Sequence, residues 1–172
     1  MDENNVRLWA AITTGIYILT TRTDGRGHGM SASWVVQVSG NPRLLAAAVG
    51  RDTYSRDWIA RQRLFGLAVV GRSSKHLQDY FHSKAAKRPD NLDRVKWFWS
   101  PRGVPWLAEA LLCLECAVMQ EILVGDRSLF VAKVSSYRWG QPDEPLTSRD
   151  LPYVFVGTVE PAPRWKAAIQ RG

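Results

Sequence analysis

Two stretches of this sequence carry side chains suited to holding a flat, anionic molecule. The first is Ser31-Ala32-Ser33-Trp34, inside GMSASWVVQVSGNP; the second is VGRDTYS, Val49 to Ser55. In the second, Arg51 offers a planar fork of donors that can grip a phosphate. Thr53 and Ser55 add hydroxyls, and a helix starting there adds the unpaired N–H groups of its first turn. In the first, the small side chains of Ser31, Ala32 and Ser33 let a flat ring approach the backbone and bond to its N–H groups. Spacing alone leaves the plainer reading open, a strand followed by a capped helix with no ligand.

Other combinations fall short of a chemistry. Gly25, Gly27 and Gly29 in GRGHG suggest a dinucleotide loop, but that motif opens a helix and a strand follows here, so the glycines are read as turn residues. His28, His76 and His82 fit no metal-ligand spacing, and His76 and His82 lie on or beside one helix, where surface positions are expected. There is no G-x-S-x-G elbow. Cys113 and Cys116 form a lone C-x-x-C with no further ligands for zinc. In a strand, positions three apart face opposite ways, so two separate buried thiols are expected.

The elements that must position the two stretches follow from periodicity. NNVRLWAAITTG reads as a short helix ended by Gly15, IYILTTR as a strand and TDGRGHG as a turn segment. Gly29 to Pro42 reads as one extended strand, with Ala32, Trp34, Val36 and Val38 facing a core and Ser31, Ser33, Val35 and Gln37 facing away. LLAAAVG is expected as a buried strand after a GNPR turn, and RDTYSRDWIARQ as a helix capped by Asp52 or Thr53. LFGLAVV is then a strand and SSKHLQDYF a helix opened by Ser73 or Ser74. HSKAAKRPDNLDRVK is a polar connection, and WFWSPRGVPWLAEA resists assignment. LLCLECAVMQEILV and LFVAKVSSYRW predict a hairpin through Gly125-Asp126, and LPYVFVG a last short strand before a basic tail. Several strands with two or three short helices and no βαβ repeat predict a mainly β fold, a closed barrel with helical insertions.

Length and composition agree with this. A chain of 172 residues with 45% hydrophobic and 23% charged residues suits one folded domain, with a core over about 8–157 and a tail over 158–172. The N-terminus has no signal-like apolar run and no segment reaches the length of a membrane helix, so a cytoplasmic protein with no membrane partner is expected. The net charge of +7 comes from scattered residues. RVKWFW is the one basic stretch with interleaved aromatics, so the charge reads as a solvated surface and no nucleic-acid partner is expected.

The order GMSASWVVQVSGNPRLLAAAV, LFGLAVV with a helix ending in Phe81, GVPWLAEALLCLECAV and GDRSLFVAKV resembles the flavin reductase-like family, from about Leu8 to Gly157. The resemblance implies an FMN-binding split barrel: a mainly β, split β-barrel with short helical insertions, present as a homodimer. It implies non-covalent FMN, or FAD as in some members, reduced by NADH or NADPH. Electrons would then pass to a small acceptor or a partner redox protein. Cofactor contacts map onto Ser31, Ala32, Ser33 and Trp34, and onto Val49, Gly50, Arg51, Thr53, Tyr54 and Ser55, with the short basic loop at Arg51 favouring FMN. No residue takes a catalytic role, because the cofactor carries the chemistry. Members often have Gly-Asp-His at the hairpin turn, with the His near the nicotinamide. Gly125-Asp126-Arg127 stands here instead, which makes Arg127 the candidate for a pyridine-nucleotide phosphate. The altered turn also keeps an alternative in view, a non-enzymatic flavin- or haem-binding protein on the same barrel.

Overall fold

The computed structural model describes residues 3–83, 87–88 and 90–163. Its strands are β1 (Tyr17–Thr23), β2 (Arg26–Ala32), β3 (Val35–Ser39), β4 (Leu44–Gly50), β5 (Leu64–Val69), β6 (Trp97–Trp99), β7 (Pro105–Leu107), β8 (Leu112–Val124), β9 (Arg127–Trp139), β10 (Tyr153–Phe155) and β11 (Val159–Pro161). The helices are α1 (Glu3–Ala10), α2 (Tyr54–Gln62) and α3 (Lys75–His82). Seven strands form one antiparallel sheet in the order β2-β1-β5-β8-β9-β4-β3, flanked by the small hairpins β6–β7 and β10–β11. Among the described residues no helix is long and apolar enough to cross a membrane.

The mainly β expectation holds; the closed barrel is replaced by something more specific. β2 and β3 end the sheet on opposite sides, yet only Ser33 and Trp34 separate them in the chain. Three Cα–Cα steps reach at most about 11 Å. The sheet must therefore curl until its two edges nearly meet at that link. No ladder joins β2 to β3 among the described residues, so the chain itself bridges the seam.

This link also corrects the reading of Gly29 to Pro42 as a single strand. Its alternation breaks at Ser33-Trp34, and beyond the break Val36 and Val38 are 57% and 50% exposed instead of facing the core. The reason is position: β3 is an edge strand with one ladder partner, and among the described residues no second layer covers Val36 and Val38. TDGRGHG is mostly strand, with a tight turn only at Asp24-Gly25, both at positive φ, so Gly27 and Gly29 lie within β2. There glycine serves close packing: a Cβ on Gly29 would stand 2.6 Å from the Phe81 ring. Helix α1 stops at Ala10, well before Gly15, which pairs instead with Thr147. The unassigned stretch forms β6–β7, and the last strand proves to be a hairpin, so Val159–Pro161 of the expected tail is β11. The rest of the basic tail, 164–172, and residues 84–86 and 89 of the polar connection lie outside the described residues.

Two buried clusters lie on the two faces of the sheet, sorted by the period of two. Ile18, Ala68, Val70 and Cys113 pack with Leu77 and Phe81 of α3 and with Trp106 and Leu107 of β7. Leu19, Phe65, Leu67 and Cys116 pack with Ile59 of α2 and with Ala47, Val49 and Phe130. Cys113 and Cys116 thus sit in different clusters as free thiols, as their spacing predicts. Burial pushes Cys113 up to about 11 and raises Cys116 further. Neither is a thiolate near neutral pH, so neither is expected to react with a maleimide in the native protein at pH 7.5, and both should label in denaturant. Labelling of the folded chain at the unfolded rate would contradict this. Because the folded thiols resist ionisation, their contribution to stability is complete below about pH 9 and declines as pH rises toward 11.

Candidate functional site

The sequence-distant stretches 31–34 and 49–55 meet at the seam. Trp34 O accepts from Ala48 N at 2.9 Å, Val35 pairs with Ala47, and β4 then delivers Val49 and Gly50 to the start of α2. β9 runs beside β4 so that Gly50 pairs with Arg127, and Arg51 N donates to Asp126 O at 3.1 Å. The β8–β9 hairpin turn is therefore part of the same corner. Its Gly125, at φ 55°, occupies the first turn position, where a two-residue hairpin loop needs left-handed backbone.

Each expected residue has a definite place. Thr53 is the N-cap of α2: its Oγ1 accepts from Arg56 N at 3.3 Å and donates to Gly50 O at 2.8 Å. Its hydroxyl fastens the loop, and the first-turn N–H groups of α2 supply the anion-binding potential. Arg51 is exposed, with Nη1 donating to Gly125 O at 3.4 Å, and it makes no ion pair among the described residues. Tyr54 is 41% exposed and meets the buried His28 ring edge-on at 5.0 Å. Ser55 is 2% exposed, which keeps its hydroxyl off the surface and removes it from the reach of a ligand phosphate. Val49 is buried in the core, so it can contribute only backbone.

In the other stretch Ser31, Ala32, Ser33 and Trp34 are all half-buried. Ser31 Oγ donates to Gln78 Oε1 at 2.7 Å, and Gln78 Nε2 donates to Tyr153 Oη at 2.8 Å. His82 stacks on Tyr153 at 4.4 Å with the rings 10° from parallel. The Ser31 proton is thus already committed, leaving oxygen lone pairs to face outward. Trp34 packs against Trp9 of α1 at 6.2 Å and Phe155 of β10 at 5.6 Å, so α1 and β10 together back the link.

Arg127 ties the corner together. Its guanidinium carbon lies 4.6 Å from the Trp34 ring centre and 5.4 Å from that of Phe155. It is not extended into solvent as a hook for a nucleotide phosphate; its side chain is 14% exposed. Sequence reasoning missed Arg56, whose Nη2 sits 2.6 Å from Glu121 and whose Nε donates to Ser128 Oγ at 3.1 Å. It also missed Gln78 and Tyr153. These pairs join β2, β8, β9, α2, α3 and β10 across 47 to 75 residues, and no local pattern marks them.

The residues fit a phosphorylated ring compound. Three arginines, an open helix N-terminus and a link of small side chains surround one corner. The buried Arg127 Nε lies 3.2 Å from the Asp126 carboxylate and makes no hydrogen bond among the described residues. Among the described residues no group of three or more His, Cys, Asp or Glu could hold a metal ion. A separate cleft of about 220 Å³ beside Ser73, Glu109 and Asp143 lies at the start of α3, where Asp143 already accepts from Ser73 N and Oγ, and it carries no comparable donor set.

Comparison with known proteins points the same way. The model of the flavin reductase like domain matches residues 9–156. A high molecular weight rubredoxin of Moorella thermoacetica is 26% identical over 149 residues, 86% of this chain and 65% of that protein. An NADH-dependent flavin reductase of Pseudomonas fluorescens is 28% identical over 128 residues, covering 74% of this chain and 72% of the relative. The chain spans only 22–25% of the diflavin flavoproteins it also matches. Among solved structures, an NADH:FAD oxidoreductase of Streptomyces globisporus, in complex with NAD and FAD fragments, superposes with a TM-score of 0.75 at 22% identity over 92% of this chain and 90% of the other. With a family match across nearly all of the folded part and a seam that brings its two site stretches together, this chain belongs to the flavin reductase-like family.

Proposed function

We propose that the protein is an FMN-binding oxidoreductase of the flavin reductase type, reduced by NAD(P)H and passing electrons to a small acceptor or a partner redox protein. The observation that carries this is the convergence of Trp34, Gly50, Arg51 and the α2 N-terminus around Arg127. Bound flavin would supply hydride and electron transfer, and the protein's part is to bind, orient and exclude water. Ser31 to Trp34 would take the ring, through backbone N–H groups and the Ser31 lone pairs. Gly50, Arg51, Thr53 and Tyr54 would take the ribityl and phosphate end, with FAD as the variant cofactor. Mixing micromolar FMN with the protein should quench flavin fluorescence and shift its visible bands, and anaerobic NADH or NADPH should then bleach them. An unchanged spectrum in FMN would overturn the proposal.

Arg51→Ala is expected to weaken FMN binding by about 10- to 100-fold, because a charge-assisted contact to phosphate is worth about 1.5–3 kcal/mol. Riboflavin, which lacks the phosphate, should bind the variant within about twofold of wild type. Equal losses for the two ligands in a titration would remove Arg51 from the phosphate site.

The edge of the sheet supports a homodimer. β3 exposes Val36 and Val38, and the far end of the β8–β9 hairpin exposes Met119, Leu123 and Val124 at 52–62%. An unprotected apolar edge favours pairing or aggregation unless a second copy covers it. Sedimentation should give twice the mass of the chain, and Val36→Lys with Val38→Lys should shift it toward the monomer. A cytoplasmic setting suits the two free thiols.

The inward Arg127, with its side chain 14% exposed, favours one second reading, a flavin- or haem-binding protein without nicotinamide oxidation. In that case bound FMN would stay oxidised when mixed with NADH and NADPH under anaerobic stopped flow.

A further inference from the structure

The three arginines of the corner are electrically unequal. Arg56 is matched by Glu121 at 2.6 Å and Asp57 at 3.2 Å, and Arg51 lies on the surface. Arg127 is 14% exposed, and the one carboxylate paired with it among the described residues, on Asp126, is 77% exposed to solvent. Its Nε comes within 3.2 Å of that carboxylate but off the line a hydrogen bond needs, so the pairing is one of charge alone. The Trp34 and Phe155 ring centres are 5.6 Å apart, so with the guanidinium at 4.6 and 5.4 Å the two rings form a corner on one side of it rather than a sandwich. Around it stand two glycines: a Cβ on Gly50 would lie 3.5 Å from Nη1, and one on Gly157 would lie 3.6 Å from Nη2. The fold therefore holds a positive charge against both site stretches, backs it with rings and leaves it without bulky neighbours at the glycines.

We propose that Arg127 is a fixed cation of the flavin site that makes the protein hold reduced flavin more tightly than oxidised flavin. This rests on the flavin reading above and gives Arg127 a role different from a grip on nucleotide phosphate. Two-electron reduction with uptake of one proton adds one negative charge to the ring system. A cation already in place stabilises that charge without reorganising when it forms. Asp126 offsets little of this, because its carboxylate is solvated. Within about 6 Å, at the effective dielectric of a protein site, one unit charge is worth more than a factor of ten in affinity. Partial exposure reduces this to about tenfold, or about 30 mV for a two-electron couple.

The test measures dissociation constants of oxidised FMN and of dithionite-reduced FMN, anaerobically, for wild type, Arg127→Met and Arg127→Lys. Methionine keeps an unbranched side chain against the two rings and removes the charge; lysine keeps the charge. The expected result is a reduced-over-oxidised preference that falls about tenfold in Arg127→Met and stays within about threefold in Arg127→Lys, with the midpoint potential of bound FMN moving in parallel. An unchanged preference in Arg127→Met would overturn the inference, as would equal weakening of both forms, which is what a purely positioning residue gives. If the methionine variant fails to fold, the ratio in Arg127→Lys decides, with a loss above threefold counting against the proposal. Wild type that binds FMN in neither state would instead overturn the flavin reading itself.

Discussion

Phe130→Ala is expected to lower folding stability by about 4 kcal/mol, within the range for deleting a fully buried aromatic ring. Phe130 is 0% exposed and shares its cluster with Ala47, Val49, Ile59, Phe65 and Cys116. It stands opposite Ala47 on β4 and Glu121 on β8, at the centre of the three strands that deliver Gly50, Arg51 and the hairpin turn. Alanine cannot fill the space, and strands paired on both sides cannot collapse into it. For a domain of this size the loss corresponds to a midpoint fall of roughly 8–16 °C. Urea unfolding should show the lower midpoint with an unchanged slope. Flavin at a hundredfold excess over its dissociation constant should add about 2.7 kcal/mol to wild type and variant alike. A cost below about 1 kcal/mol would mean that the sheet closes over the gap and that this cluster does not hold the corner together.

Glu115→Ala should cost about 3 kcal/mol, for a polar reason. Glu115 is 1% exposed near the start of β8, beside a register shift. Its carboxylate accepts from Ser100 Oγ at 2.5 Å, Arg102 N at 2.8 Å and Ser135 Oγ at 2.9 Å. It thereby pins the loop between β6 and β7 to the main sheet. Removing it leaves Ser100 Oγ and Arg102 N without that acceptor, each worth about 1–3 kcal/mol when unmet, while Ser135 Oγ keeps the Glu115 carbonyl at 3.1 Å. Glu115→Gln keeps the shape but turns an NH2 toward these donors, and about half the cost is expected. Equal stability of wild type and Glu115→Ala in urea would show that water replaces the carboxylate. Glu115 lies near the start of β8 and the site at the hairpin turn that follows its end, so flavin affinity per folded molecule should stay within about twofold.

Much of this protein was legible in order. β-rich composition in IYILTTR and LFGLAVV located β1 and β5, the turn residues bounding the short apolar run LLAAAVG located β4, and Gly-Asp between two long β-rich runs located the β8–β9 hairpin. A cap of α2 at Asp52 or Thr53, which the structure places on Thr53, and Cys113 and Cys116 on opposite faces followed from local stereochemistry. Such features depend on a residue and its near neighbours, so sequence carries them directly.

What alternation could not supply was the partner on the far side. Val36 and Val38 have the pattern of core residues, but their burial depends on whether another layer lies against β3, and none does among the described residues. Ser31 and Ser55 have the chemistry of ligand contacts, but one hydroxyl is held by Gln78, 47 residues away, and the other is buried. Arg127 is the clearest case. The sequence by itself determined that an arginine follows the hairpin turn, and so that a permanent charge sits at this corner. Only the tertiary structure decided that it turns inward onto Trp34 and Phe155, because rings from the strand link and from β10 meet there through contacts that no local pattern encodes.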